Sequence, residues 1–397
     1  MPKFYQIYLK SQLEPCQYLL LSILIDLLQS IKMVKLEALA TALPLPIQFE
    51  SRRHRLQRFL SLPILKVEKL WFPFIQNWLE TDFDCNQVLY IAIDRTNWGC
   101  INLLMISLIW DKRAIPIYFE LLPKKGSTSY EEPLAFCHKV LHLFKNYKTV
   151  VLGDREFCSV KLANWLAQKG VYFCLRLKKN EYIELEHENW LQLKELGLSP
   201  GFSLYLEGVN ITKQKGFERF NLARSVGGGS FPRRTSLARW KKKHQGWAPD
   251  EGWFIMTNLD DLESAIKSYQ KRFDIEEMFR DFKSGGYNLE ETLVTDFRLR
   301  AIILLIMIAY TTATFQGRKI KQMGLQKYVG RVKEFGRTVR RHSSFYVGLY
   351  GQTWVNFIEQ CAKAVAELIR LTRNKWKYYQ RGLRAKELIL STFQTSL

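Results

Sequence analysis

Asp94 closes the apolar run VLYIAID, and Asp154 closes TVVLGD. A carboxylate at the end of a buried strand is costly unless it is solvated, paired or bound to a metal. Taken singly, an aspartate in that place is a turn or cap residue. The two gain meaning together, because the element order set out below makes their strands neighbours. Their carboxylates then face each other across one strand spacing, about 4.8 Å. Paired hard oxygen donors suit Mg²⁺ or Mn²⁺.

A third carboxylate comes from the segment SYQKRFDIEEMFRDFKSGG, whose spacing predicts one continuous helix. Counting about 100° per residue from Tyr269, Arg272 falls at about 300°, Glu276 at about 340° and Lys283 at about 320°. Arg280 lies close by, at about 20°, and Glu277 is turned away, at about 80°. Ile275, Met278, Phe279 and Phe282 form the adjoining apolar stripe that docks the helix. One acid on a row of cations fits a third metal ligand among phosphate-gripping groups. A solvated face with intrahelical Glu–Arg pairs has the same pattern.

The elements that must position these groups follow from periodicity. Residues 1–82 read as helical, with Leu19, Leu20, Ile23, Leu24, Leu27 and Leu28 at helical spacing. KLEALATAL and SRRHRLQRFL, joined through Pro44 and Pro46, resemble a helix-turn-helix whose second helix carries Arg52, Arg53, Arg55 and Arg58. A basic solvated helix on a bundle is the other reading. Strands are expected at 88–94, 100–110, 114–122, 149–154 and 171–177, with helices at 130–144 and 160–169. Three strands followed by strand–helix alternation is the order of an RNase H-like mixed sheet. The fold class is therefore α/β (mixed α+β): an RNase H-like core interrupted by a β-rich insertion, with helical N- and C-terminal domains. The expected divisions are 1–82, 83–178, 179–255, 256–316 and 317–397.

Lys and Arg number 59 against 38 Asp and Glu, a formal net charge of +21. Such an excess calls for an anionic partner, with nucleic acid first and an anionic membrane surface second. The charge is not a disordered tail, since the chain is 14% aromatic. Between 209 and 249, ten Lys or Arg stand against Glu218, and between 318 and 341 nine stand against Glu334. The seven cysteines form no CxxC pair, which excludes a zinc ribbon or disulfide framework and fits a reducing cytoplasm. The apolar stretch 18–28 carries Asp26 and no cleavage site, and the run 301–310 is too short to span a bilayer. No membrane partner is expected. His138 and His142 lack the Glu of a zinc-protease motif, and no GK[ST] follows Gly227-Gly-Gly, so no nucleotide cofactor is expected.

The spacing Y-x2-R-x3-E-x6-K, filled by Tyr269, Arg272, Glu276 and Lys283, resembles the signature of a large group of bacterial insertion-sequence DDE transposases that excise DNA by cut and paste. AIDRTNWG at 92–99 and GDREF at 153–157 look like that group's two aspartate blocks, and SRRHRLQRFL is similar to its end-binding region. Phe157 and Cys158 depart from the small and acidic residues common in the second block. The resemblance covers residues from about 40 to about 290.

What the resemblance implies is a mechanism. Asp94, Asp154 and Glu276 would hold two Mg²⁺ ions, with Mn²⁺ as a substitute. A nick frees a 3′-hydroxyl, which attacks the opposite strand to make a hairpin before strand transfer into target DNA. Tyr269, Arg272 and Lys283, joined by Arg280, would hold phosphates of the non-transferred strand. Trp253 looks like the tryptophan that stacks on a flipped base, with Trp247 ranked behind it and core packing as the other reading. Arg176 resembles an arginine that clamps the same nucleotide. The implied partners are double-stranded DNA, as element ends and target, and a second copy of the chain, in the cytoplasm at the nucleoid. The helix around 355–371 is the candidate dimer interface. Two rivals stay open: a catalytically inactive DNA-binding remnant, and a structure-specific nuclease on the same fold.

Overall fold

The computed structural model describes residues 3–122, 131–186, 189–196, 203–212, 218–225, 253–333, 335 and 341–394. Trp247, the Gly227 loop and most of the basic segment 209–249 lie outside the described residues. The helices are α1 (Lys3–Gln12), α2 (Pro15–Ile31), α3 (Leu36–Ala42), α4 (Phe49–Leu60), α5 (Val67–Leu70), α6 (Phe72–Asp82), α7 (Glu131–Leu141), α8 (Val160–Gln168), α9 (Leu262–Gln270), α10 (Phe273–Phe282), α11 (Asp296–Gln322), α12 (Ser344–Gln360), α13 (Ala362–Leu371) and α14 (Trp376–Gln394). The strands are β1 (Val88–Trp98), β2 (Ile101–Trp110), β3 (Arg113–Leu121), β4 (Lys148–Gly153), β5 (Tyr172–Arg176), β6 (Tyr182–Glu186), β7 (Asn189–Gln192), β8 (Ser203–Ile211), β9 (Glu218–Ser225) and β10 (Trp253–Thr257). They fold into two compact units: Leu79–Phe279, and Met1–Trp78 with Arg280–Leu397.

The first unit is built on one sheet of order β3-β2-β1-β4-β5-β10-β9-β8-β6-β7. β1 pairs antiparallel with β2, and β2 with β3; β4 runs parallel to β1, and β5 parallel to β4. That is the RNase H-like arrangement. β2 reads as a continuous apolar run because residues 102–108 are buried on both faces. The β2–β3 hairpin turns on Asp111 and Lys112, both at positive φ (50° and 60°), the geometry of a type I′ turn. β10 joins antiparallel to β5, and β9, β8, β6 and β7 extend the same sheet outward from it.

One strand differs from expectation in a way that matters. β1 runs to Trp98, so Asp94 does not end it. Residues 94–98 pair with 105–101 of β2, whereas the pairing with β4 stops at Ile93–Gly153. Asp94 thus sits inside a strand on one side and at the end of a ladder on the other.

The second unit is helical. Trp71 stacks on Phe74, Tyr5 packs against both rings, and Phe315 of α11 meets Phe74. The run 301–310 proves to be part of the 27-residue α11. Its stretch Phe297–Gln322 is long and apolar enough to cross a bilayer, and 89% of its most apolar window is buried in the fold. α11 crosses α12 where Gly317 faces Gly348: a Cβ on Gly317 would lie 1.8 Å from the Ser344 carbonyl oxygen, and one on Gly348 would lie 1.8 Å from that of Ala313. α3 and α4 pack as a pair, with Leu56, Phe59 and Leu60 of α4 buried. The helix expected around 355–371 breaks at Cys361 into α12 and α13.

Candidate active site

The sheet carries the first two carboxylates to adjacent places. Ile93 is level with Gly153, so the following residues, Asp94 and Asp154, stand side by side at the end of the β1–β4 ladder. Gly153 allows this packing: a Cβ there would meet Leu175 Cδ2 at 2.9 Å and Phe157 Cβ at 3.2 Å. Phe157, the departure noted in the second aspartate block, is buried as the wall behind it.

The third carboxylate arrives on α10, and here the expected continuous helix is corrected. α9 ends at Gln270, a turn through Lys271 and Arg272 follows, and α10 begins at Phe273. The turn is closed by three-residue bonds, Arg272 N to Tyr269 O at 3.0 Å and Ile275 N to Arg272 O at 3.1 Å. Ile275, Met278, Phe279 and Phe282 are buried, as their stripe requires. Lys283 falls one residue past α10 and pairs with Glu290 at 2.8 Å. Arg280 is exposed on the last turn of α10.

Arg272 is the electrostatic centre. Its side chain is 3% exposed, its Nη1 lies 2.9 Å from Asp94 Oδ2, and its Nη2 lies 2.5 Å from Glu276 Oε1. Burial works against its charge, but Tyr269, Asp94, Asp154 and Glu276 together hold the guanidinium firmly protonated. Burial pushes the Asp94 carboxyl up to about 6, even with Arg272 and the Arg95 amide beside it. Glu276 and Asp154 add to that rise. For Asp154 burial also acts upward, yet Arg272, Arg176, Arg155 and a backbone amide outweigh it and hold the group below the usual range.

The Asp154 side is completed by residues from three elements. Tyr269 donates its hydroxyl to Asp154 Oδ1 at 3.3 Å, and Arg176 Nη1 lies 3.6 Å from the same oxygen. The Trp253 ring meets Tyr269 edge-on at 5.2 Å and lies 5.5 Å from Phe273. Asp94, Asp154, Glu276, Tyr269, Arg272, Arg176 and Trp253 are therefore brought together. Arg52, Arg53, Arg55 and Arg58 lie on α4 of the helical unit, where Arg55 and Arg58 are exposed and Arg53 faces Glu37 and Glu50. The sequence reading missed the ion pair between Arg95 and Glu156. Its signal was the repeated Asp-Arg at 94–95 and 154–155.

The donor set fits a hard divalent cation. Asp94 and Glu276 pair with Arg272 and Asp154 acts on it electrostatically, so hard carboxylate oxygens, the donors such an ion takes, line one pocket. In this arrangement no three His, Cys, Asp or Glu side chains close on a single point among the described residues.

A pH dependence follows. Asp94 holds its proton up to about 6 in the folded protein, against an ordinary 3.8. Between those values the folded state binds more protons than the unfolded chain, so this group's stabilising effect is full at low pH and is lost as pH rises through about 6. Asp274, pushed by burial to about 6, acts in the same direction, whereas Asp154 loses its contribution only as pH falls below its ordinary range. The metal-free protein should therefore melt higher at pH 5 than at pH 7.5. Asp94→Asn should remove part of that difference, Asp274 and Asp26, both raised by burial, supplying the rest. An unchanged melting profile in Asp94→Asn would assign the effect to other groups.

Residues 133–312 match the family described as the transposase DDE domain. The matched stretch holds Asp154 and Glu276 and begins after Asp94, and it spans less than half of the chain. Among solved structures, a piggyBac transposase synaptic complex with hairpin DNA is similar over 90% of this chain and 72% of that one, at 12% identity and a TM-score of 0.45. No curated protein matches the chain.

Proposed function

We propose that this protein is a DNA transposase of the DDE type, which nicks the ends of its element and joins the freed 3′-hydroxyl to target DNA. The observation that carries this reading is the placement of Asp94 and Asp154 at adjacent positions of an RNase H-like sheet, with Glu276 tied to Asp94 through Arg272. The match of residues 133–312 to the transposase DDE domain supports it independently. When divalent ions are bound, Asp94, Asp154 and Glu276 would hold them, and the ions would activate the attacking oxygen and stabilise the leaving one.

The chain's own residues do the rest. Arg176, beside Asp154, would offer a cation to a scissile phosphate that approaches the carboxylates, while buried Arg272 holds Asp94 and Glu276 in place. Tyr269, hydrogen-bonded to Asp154, fixes that side chain and presents its ring edge to Trp253. Trp253 is half-buried, which leaves ring surface for an extruded base; stacking of that kind contributes about 1–3 kcal/mol. The exposed arginines of α4 favour duplex DNA as the ligand of residues 1–82. Exposed Phe357, Leu371 and Tyr378 favour a protein contact through the C-terminal helices.

The test is Mg²⁺-dependent cleavage of DNA that carries the gene's own flanking sequences, with Asp94→Asn as control. A nick leaving a 3′-hydroxyl at a flank boundary, then a hairpin on a denaturing gel, is the expected result. Binding without a cut in Mg²⁺ or Mn²⁺ would favour the inactive remnant, and cutting of branched DNA regardless of end sequence would favour the nuclease. In the same assay Trp253→Ala should slow hairpin formation about tenfold more than nicking. Equal slowing of both steps would make Trp253 a packing residue.

A further inference from the structure

Away from the carboxylates, the helical unit carries a trough of about 610 Å³ between α3, α4 and the start of α11, lined by Gln57, Ser61, Leu293, Phe297 and Arg298 and by Arg53, which is paired with the trough's Glu37. A second hollow of about 590 Å³ shares Gln57, Ser61 and Arg298 and adds His54 and Arg58. Shared walls make them one trough along the outer face of α4. Two features of its chemistry are unusual side by side. Leu293 is 81% exposed and Phe297 80% exposed, far beyond what a lone surface apolar residue needs for packing. Around them stand Arg58 and Arg298, neither with a carboxylate partner among the described residues; Arg298 Nε instead donates to Ser61 Oγ at 3.1 Å.

A protein partner would cover the apolar pair but would have to bury these guanidinium groups or bring acids to them. Duplex DNA satisfies both features at once. Its phosphates meet the arginines, and a protruding Phe and Leu can press between base pairs at a step that kinks easily. We propose that this trough is a duplex-DNA contact in which Phe297 and Leu293 act as an apolar wedge and Arg58 and Arg298 hold the flanking phosphates. The inference rests on the reading of duplex DNA as the partner and assigns the wedge residues, which the basic helix alone does not supply.

The experiment uses the full chain and a fluorescein-labelled flank duplex, titrated by anisotropy over a salt series, with 2-aminopurine reporting unstacking. Phe297→Ala should weaken binding about tenfold and abolish the 2-aminopurine rise, while the slope of log K against log [salt] stays unchanged. Arg58→Gln should lower that slope by about one, leaving the 2-aminopurine response of the bound state intact. Both side chains are exposed, so melting temperatures should match the parent and serve as the folding control. Phe297→Ala with parental affinity and parental 2-aminopurine signal would overturn the proposal. So would a Phe297→Ala effect confined to oligomeric state, which would make the wedge a protein contact. A parent that binds and unstacks the duplex but never cuts it would defeat the transposase reading and leave this inference standing.

Discussion

Replacing Glu276 by Gln should abolish strand cleavage, by on the order of 10³-fold or more, while DNA binding and folding persist. A loss of that size corresponds to about 4 kcal/mol of transition-state stabilisation, the scale expected when a metal ligand loses its charge. The fold should tolerate the change because the Glu276 side chain is half-exposed, and a glutamine oxygen can still accept from Arg272 Nη2. Glu277→Gln is the paired control. It lies one residue on, about 100° around α10, and should cleave normally. Loss of cleavage in Glu277→Gln with retention in Glu276→Gln would move the third ligand and undo the assignment. A gel assay on pre-nicked and intact flank duplexes separates loss of chemistry from loss of binding.

The second large effect is on stability. Arg272→Met removes the partner of a buried carboxylate and leaves Asp94 beside Glu276 and Asp154 without its compensating cation. Breaking a buried pair on one side costs about 3–5 kcal/mol, which for a unit of this size lowers the melting temperature by roughly 10 °C. The loss should shrink as pH falls from 7.5 to 5, because without the guanidinium Asp94 takes up its proton still more readily. Arg272→Lys should not restore the parent: one ammonium cannot reach both Asp94 and Glu276 in the forked geometry. A melting temperature within 2 °C of the parent at pH 7.5 would show that solvent already compensates Asp94 (roughly 2–4 °C corresponds to 1 kcal/mol).

These expectations rest on parts of the molecule that differ in how openly the sequence declares them. The runs around 101–110, 148–153 and 172–176 are legible because apolar β-branched stretches bounded by turn residues leave few alternatives. Asp94 was legible as a chemical group and not as a mid-strand residue. The polar tail RTNW carries no strand pattern, and it is extended because β2 pairs with it. The break after Gln270 was invisible for a related reason. Lys271 and Arg272 are good helix formers without Gly or Pro nearby, and a tertiary demand interrupts the helix where Arg272 turns in toward Asp94 and Glu276. Insertion of β10 between β5 and β9 depends on pairing between distant segments, which local periodicity does not encode. The site residues were easier than their scaffold because charges on apolar elements stand out, whereas the Arg95–Glu156 pair hides within ordinary polar text.

The two units also differ in how the chain composes them, and this sets an order of events during synthesis. Residues 79–279 are contiguous, so the sheet and its carboxylates can assemble as soon as that stretch has left the ribosome. The helical unit cannot. α2 emerges early but packs against α11, where Gln29 Nε2 donates to the Ala309 carbonyl across 280 residues of chain. At about 5–20 residues per second, the N-terminal helices must wait roughly 15–60 seconds for their partners. During that interval the apolar faces of α2, α4 and α6 are uncovered, a load for chaperones rather than a feature of the finished protein. A newborn chain thus assembles its three carboxylates before it completes the unit that carries its basic helix.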